Sequence, residues 1–238
     1  MKRTLLFLLS VLFLASCAEL SEALPDDPVP GNAPSVYAVS ASDLYRVELS
    51  SGGEDTLVGT LTKPDGVTLN VTDTALAGNE LYANTAAQLF EVDTSTAEVE
   101  LIGNFGTSVN ALAANSSRRL YGANNRGRLV TVDTATGEAT TVGTFGDGLN
   151  AGGDLAFLPN GELYATSTQN ELLKVDISTG QATEVGDIGF SNVFGLSYAG
   201  GSLYGFTGAG QLIRIDSETG EGTLVRELSF DALGGQNR

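Results

Sequence analysis

From residue 35 onward, apolar residues come in short runs of period two, separated by glycine, asparagine, aspartate and threonine. One stretch reads Leu120-Tyr121-Gly122-Ala123, then Arg128-Leu129-Val130-Thr131-Val132-Asp133, then Thr136-Gly137-Glu138, then Thr141-Val142-Gly143-Thr144. Alternation this short, bounded by turn formers, predicts half-buried strands. With the run around Asn110-Ala111-Leu112-Ala113, the unit holds a first strand, a second at Leu120 to Ala123, a third at Leu129 to Asp133 and a fourth at Ala139 to Thr144.

The unit recurs. Its tyrosine is found at Tyr37, Tyr82, Tyr121, Tyr164 and Tyr204, at spacings of 45, 39, 43 and 40 residues. An acid follows each one, at Glu48, Asp93, Asp133, Asp176 and Asp216. Next comes Gly52, Gly137, Gly180 or Gly220, with Ala97 as the exception. Each unit then ends in Val58-Gly59, Ile102-Gly103, Val142-Gly143 or Val185-Gly186, whereas the fifth has Val225-Arg226. Four strands in about 40 residues match the period of a propeller blade, and a lone blade cannot cover both its faces. The expected fold is therefore all-β, a five-bladed β-propeller over residues 35–238. Its first unit lacks a first strand, while Ser229-Phe230-Asp231-Ala232-Leu233-Gly234-Gly235 resembles one. Residues 228–234 are predicted to pair with the strand near Ser35 to Val39, closing the ring and removing an exposed edge.

The Asp-x-x-Thr-Gly runs at Asp133-Thr136-Gly137, Asp176-Thr179-Gly180 and Asp216-Thr219-Gly220 resemble repeats of YVTN and quinoprotein-like β-propellers, with Asp93-Thr96-Ala97 partly kept. The resemblance implies that each aspartate accepts hydrogen bonds from a hairpin backbone and each glycine takes the left-handed turn position. Recurring once per unit, these aspartates read as turn formers rather than calcium ligands or acid-base groups. The tyrosines read as packing residues rather than a sugar-binding platform. Quinoprotein repeats carry tryptophan, and this chain has none, which weighs against a quinone cofactor.

Ahead of the repeats, Met1-Lys2-Arg3 precedes an apolar run from Thr4 to Ala15, too short to span a bilayer, which needs about 20 residues. The run ends in Leu14-Ala15-Ser16-Cys17, which resembles the lipobox of bacterial lipoproteins. That resemblance implies a signal peptide over residues 1–16, lipidation of Cys17, and sorting to the outer membrane or cell surface, which Ala18 favours. Residues 17–34 are acidic and proline-rich and read as a flexible tether.

Charge narrows the range of partners. The chain has 12 basic residues, 29 acidic ones and no histidine. Loss of the signal removes Lys2 and Arg3 and no acid, moving the formal net charge from −17 to −19. Such a surface repels phosphate backbones, so nucleic acid is excluded and the membrane is reached through the lipid. A single cysteine allows no intrachain disulfide, and without histidine no Ser-His-Asp triad can form. The chain is expected to act as a monomeric, non-enzymatic binding module for a glycan or a protein. A carboxylate-dependent glycosidase or lyase and a structural envelope subunit are the alternatives.

The candidate site lies where the repeat breaks. Between Phe145 and Asp154, the side chains of Asp147, Asn150 and Asp154 stand among four glycines, at the entry to a first strand that should border the central channel. Asp154 aligns with Ala111, Gly195 and Ala232, where small residues suit crowding. Asn110, Asp231 and Asp73 come from nearby positions of other units. The expected ligand-binding set is Asp147, Asn150, Asp154, Asn110 and Asp231, and Asp154 with Asp147 could supply oxygen ligands to a calcium ion. A water-filled polar channel without an ion is the simpler alternative.

Overall fold

The computed structural model describes residues 33–146, 148–232 and 234–235. The signal, Cys17, nearly all of the tether and Asp147 lie outside the described residues. The chain forms five antiparallel sheets of four strands each, a five-bladed β-propeller. Among the described residues there is no helix, hence none that could cross a membrane.

Blade 1 holds Ser35–Ser40, Asp43–Glu48 and Asp55–Thr60, with Gly234–Gly235 as its innermost strand. The innermost strands of blades 2 to 5 are Asp73–Ala77, Ala111–Ala114, Ala151–Phe157 and Val193–Ala199. Their outer strands are Val99–Asn104, Ala139–Thr144, Ala182–Asp187 and Gly222–Glu227. Burial follows this order, with inner strands almost wholly buried and outer strands mostly exposed. Five apolar cores result, one between each pair of neighbouring blades.

The recurring motifs each have a mechanical role in this ring. In blade 3, Leu129 faces Gly143 and Val130 faces Thr141, so Val142 is an extra residue, a β-bulge. Val58, Ile102, Val185 and Val225 are skipped in the same way. In blades 1 to 4 the glycine after the bulge is a docking point for the next blade. A Cβ on Gly103 would lie 1.9 Å from the carbonyl oxygen of Thr136, and one on Gly143 1.9 Å from that of Thr179. On Gly186 it would meet the Thr219 carbonyl at 2.1 Å. The turns that dock here are the Asp-x-x-Thr-Gly hairpins. Asp133 accepts the Ala135 N–H at 2.8 Å, Asp176 that of Ser178 at 2.8 Å, and Asp216 that of Glu218 at 2.7 Å. Gly137, Gly180 and Gly220 have φ of 75°, 78° and 85°, as this turn requires.

Both exceptions to the repeat fall at looser or altered seams. Ala97, at φ 60°, faces Gly59, where an added Cβ would sit 3.1 Å away. Arg226 stands where the glycine would be at the junction of blade 5 with blade 1. Its guanidinium crosses that junction to Asp55 at 2.5 Å and donates to the Glu48 carbonyl at 3.1 Å. Asp55 also accepts the Ser229 N–H at 2.7 Å. Arg226 and Ser229 together hold its carboxyl below the usual range despite burial.

Closure is as the ends of the sequence imply, with a later register. Pairing begins at Gly234, opposite Val39, and continues with Gly235 opposite Ala38. Ser229 to Ala232 form the approach to the strand, with Phe230 and Ala232 buried and the Phe230 ring stacked on Tyr45 at 3.9 Å.

The recurring tyrosines are packing residues, and two of them bond a neighbouring acid. Tyr82, Tyr121, Tyr164 and Tyr204 are buried, and Tyr82 and Tyr164 donate to Glu80 and Glu162 at 2.8 and 3.1 Å. Burial and these acids push both hydroxyls up to about 12.

Candidate functional site

The innermost strands bring one register position of every blade to the axis. In blades 2 to 5 the recurring tyrosine faces Ala75, Ala113, Ala156 and Ser197. Two residues earlier on those strands come Asp73, Ala111, Asp154 and Gly195. In blade 1 the ladder assigns Gly234 to this position, because it faces Val39 two residues after Tyr37. Ala232, which the repeat alignment places there, belongs to the approach instead. Three small residues and two carboxylates thus share this register position.

The two carboxylates are bound in the same way. Asp73 accepts the N–H of its neighbour Thr74 at 2.7 Å and that of Leu112 on the next blade at 2.7 Å. Asp154 accepts from Leu155 at 2.5 Å and from Leu196 on the next blade at 2.8 Å. Thr74, Leu112, Leu155 and Leu196 all follow the axial position by one residue. Each acid therefore clips its own blade to its successor. The Asp73 carboxyl is also coupled to that of Asp154. Burial first, and then the charge of Asp154, hold the Asp73 carboxyl well above the usual carboxylate range, against the two backbone N–H bonds. Two ionised carboxylates cannot share a site this dry, so the pair retains a proton between its members.

At 1% and 0% exposure, neither acid can touch a substrate. The accessible surface lies one residue closer to the mouth, in a recess of about 210 Å³ lined by Val71, Thr72, Asn110, Gly152, Gly153 and Phe194. Asn110 is half-buried in this recess. Asn150 is also half-buried, and its amide donates to the Gly148 carbonyl at 3.1 Å within its own turn. Asp231 is exposed on the approach to the closing strand. The structure thus joins Asp154 to Asp73, and places Asn110 at the mouth above them. Among the described residues no three His, Cys, Asp or Glu side chains gather as metal ligands, and Asp73 and Asp154 are the acids brought side by side at the axis.

Repeat pattern, blade order and closing strand can be set against known proteins. A model of a repeat of unknown function matches residues 110–236, which span blades 3 to 5 and the closing strand. The chain belongs to the DUF6923 repeat family. No curated protein matches this DUF6923 chain. Among solved structures, a protein of unknown function from Bacteroides thetaiotaomicron superposes with a TM-score of 0.52 at 14% identity, over 79% of this chain and 56% of its own. PorZ, a surface component of the type-IX secretion system of Porphyromonas gingivalis, gives 0.45 at 19% identity, over 84% and 28%. Regucalcin from Agrobacterium tumefaciens, a calcium-binding protein, gives 0.49 at 20% identity, over 80% and 68%. The DUF6923 chain spans 28% of PorZ and 56% of the Bacteroides protein. At these identities the likeness concerns the fold alone.

Proposed function

We propose that the chain is a non-enzymatic binding module, tethered to the cell envelope through a lipid on Cys17, that takes a glycan or protein ligand at the channel mouth. The observation that carries this reading is the mouth itself. An open recess edged by Thr72, Asn110 and Phe194, with glycine backbone at Gly152 and Gly153, offers polar contacts, backbone approach and one aromatic face. Its carboxylates are sealed beneath and coupled to each other. Glycoside hydrolysis needs accessible acids about 5 to 9.5 Å apart with the substrate between them, so this pair does not support the enzyme alternative. Asp147, Asn150 and Asp231 belong to the proposal as outer contacts.

A second reading, an envelope assembly subunit docked through its rim, is favoured by Leu57, Leu101 and Leu224. These exposed leucines occupy equivalent positions on the outer strands of blades 1, 2 and 5, which are consecutive in the ring. Photo-crosslinkers placed at positions 110 and 101 in living cells separate the two. A discrete adduct from position 110 alone supports the mouth, and one from position 101 alone supports the rim. Replacing Cys17 by serine should abolish lipid labelling, and undiminished labelling would remove the anchor from the reading.

A further inference from the structure

The opposite end of the ring carries a larger recess, of about 350 Å³, where the innermost strands run into their hairpins. Its apolar wall is built from one register position in four blades. Leu76, Ala114, Phe157 and Tyr198 each face the leucine that precedes the recurring tyrosine. A polar edge is supplied by Asn115, Ser116 and Arg118, from the inner hairpin of blade 3.

Arg118 is out of place by the standards of its own repeat. It sits at φ 63°, and its N–H bonds back to the Asn115 carbonyl at 2.9 Å. In blade 4 the same hairpin position is Gly161, bonded back to Leu158 at 2.9 Å. A residue with a Cβ is disfavoured in this conformation, and such outliers gather where a binding surface needs the side chain. The side chain lies over Gly78 of blade 2, where an added Cβ would fall 2.7 Å from the Arg118 Nε. Gly78 thus leaves room for the guanidinium beside the recess. Among the described residues, that guanidinium makes no hydrogen bond or ion pair.

The electrostatics of the recess are equally distinct. Asn115 Oδ1 is already occupied by the Ser117 and Arg119 N–H groups, which leaves its amide nitrogen as a donor. Among the described residues no acid lines this recess, in a chain with 29 of them. By contrast, the outer recess beside blade 2 is lined by Glu91, Asp93, Glu98 and Glu100, and that beside blade 5 by Asp216, Glu218 and Glu221. A cation and neutral donors at the edge of an apolar bowl complement one kind of molecule.

We propose that this recess binds a small apolar monocarboxylate, with the carboxylate on the Arg118 guanidinium and the apolar body against Leu76 and Tyr198. The proposal shares with the mouth reading only the premise that the ring is a binding module, and it concerns the other end of the channel. Phenylacetate is a suitable probe, with uncharged phenylacetamide as its control, measured on the full-length chain by saturation-transfer NMR and equilibrium dialysis. Phenylacetate should bind saturably, and phenylacetamide at least tenfold more weakly, since a charge-assisted pair is lost. Arg118→Gln should weaken phenylacetate at least tenfold. Arg118→Gly should weaken it equally while raising the melting temperature, because glycine accepts the left-handed backbone. Equal binding of the amide, retained affinity in either variant, or no saturable binding by the wild type would overturn the proposal. The crosslink from position 110 should persist in both variants. If the wild type binds no phenylacetate but gives that adduct, the recess proposal fails and the mouth reading stands.

Discussion

Stability should fall as pH rises above the ordinary carboxylate range, because of the Asp73–Asp154 pair. The folded ring holds the Asp73 carboxyl above the range it has in the unfolded chain. Between the unfolded value and the raised one, the folded state binds more protons, so stability is fully present below that window and is lost as pH climbs through it. One proton of difference sets a limiting slope of about 1.4 kcal/mol per pH unit. For a domain of this size that is a fall of roughly 3 to 5 °C in melting temperature per unit. The chain is well suited to the measurement, since it has no histidine to add a titration of its own. Thermal melts followed by circular dichroism in half-unit steps from pH 5 to 9, at constant ionic strength, give the slope. The Asp73→Asn/Asp154→Asn double variant is the control. Each asparagine keeps one acceptor where the carboxylate used two, so its baseline should drop by about 1–3 kcal/mol for each backbone N–H left unpaired. Its pH slope over this range should nevertheless vanish. A wild-type curve that is flat or rising, or a slope that survives in the double variant, would refute the assignment of a retained proton to this pair.

Three further outcomes follow from the seams and the closure. Arg226→Ala should cost about 3–5 kcal/mol in chemical denaturation by leaving Asp55 buried without its partner, and adding Asp55→Ala should recover part of the loss. Gly143→Ala forces a methyl against the Thr179 carbonyl and should cost about 1–3 kcal/mol, whereas Gly146→Ala, whose Cβ would meet nothing within 4 Å, should cost only the strain of its φ of 77°. Truncation after Glu227 removes Phe230 and Ala232 from the core between blades 5 and 1. It should lower the melting temperature of the whole ring, and an unchanged melt would contradict closure by the C-terminal strand.

Most of the fold was legible because its repeats are local. Tyrosine spacing, the Asp-x-x-Thr-Gly hairpins and the Val-Gly pairs are set within a blade, and the sequence carries each one at least three times. The reason for the Val-Gly pair was not legible, because the glycine answers to a carbonyl in the following blade. Asp154 could be singled out as a carboxylate where other blades keep small residues. Asp73 could be placed near it, from a nearby position of another unit, but direct pairing of the two carboxyls could not be read, since that contact joins blades two apart across the axis. Irregular pairing near Ala151–Leu155 and Val193–Gly195 also blurs the register there. Arg118 went unnoticed in a polar hairpin. The signal was its alignment with Gly161, which emerges only when inner hairpins are compared with one another.

The Arg226–Asp55 junction bears on how the chain counts its blades. Repeats this alike could join with any neighbour, including the same blade of a second molecule, giving an open filament or an exchanged dimer. Glycine docking cannot prevent this, because three of its seams are nearly interchangeable. The last junction is chemically different from the rest, and its two halves lie at opposite ends of the repeat array. Blade 5 has a key that fits blade 1 and not the blades between, so the array closes after its fifth blade, and the blade 1 of the same chain is favoured because it is tethered close by.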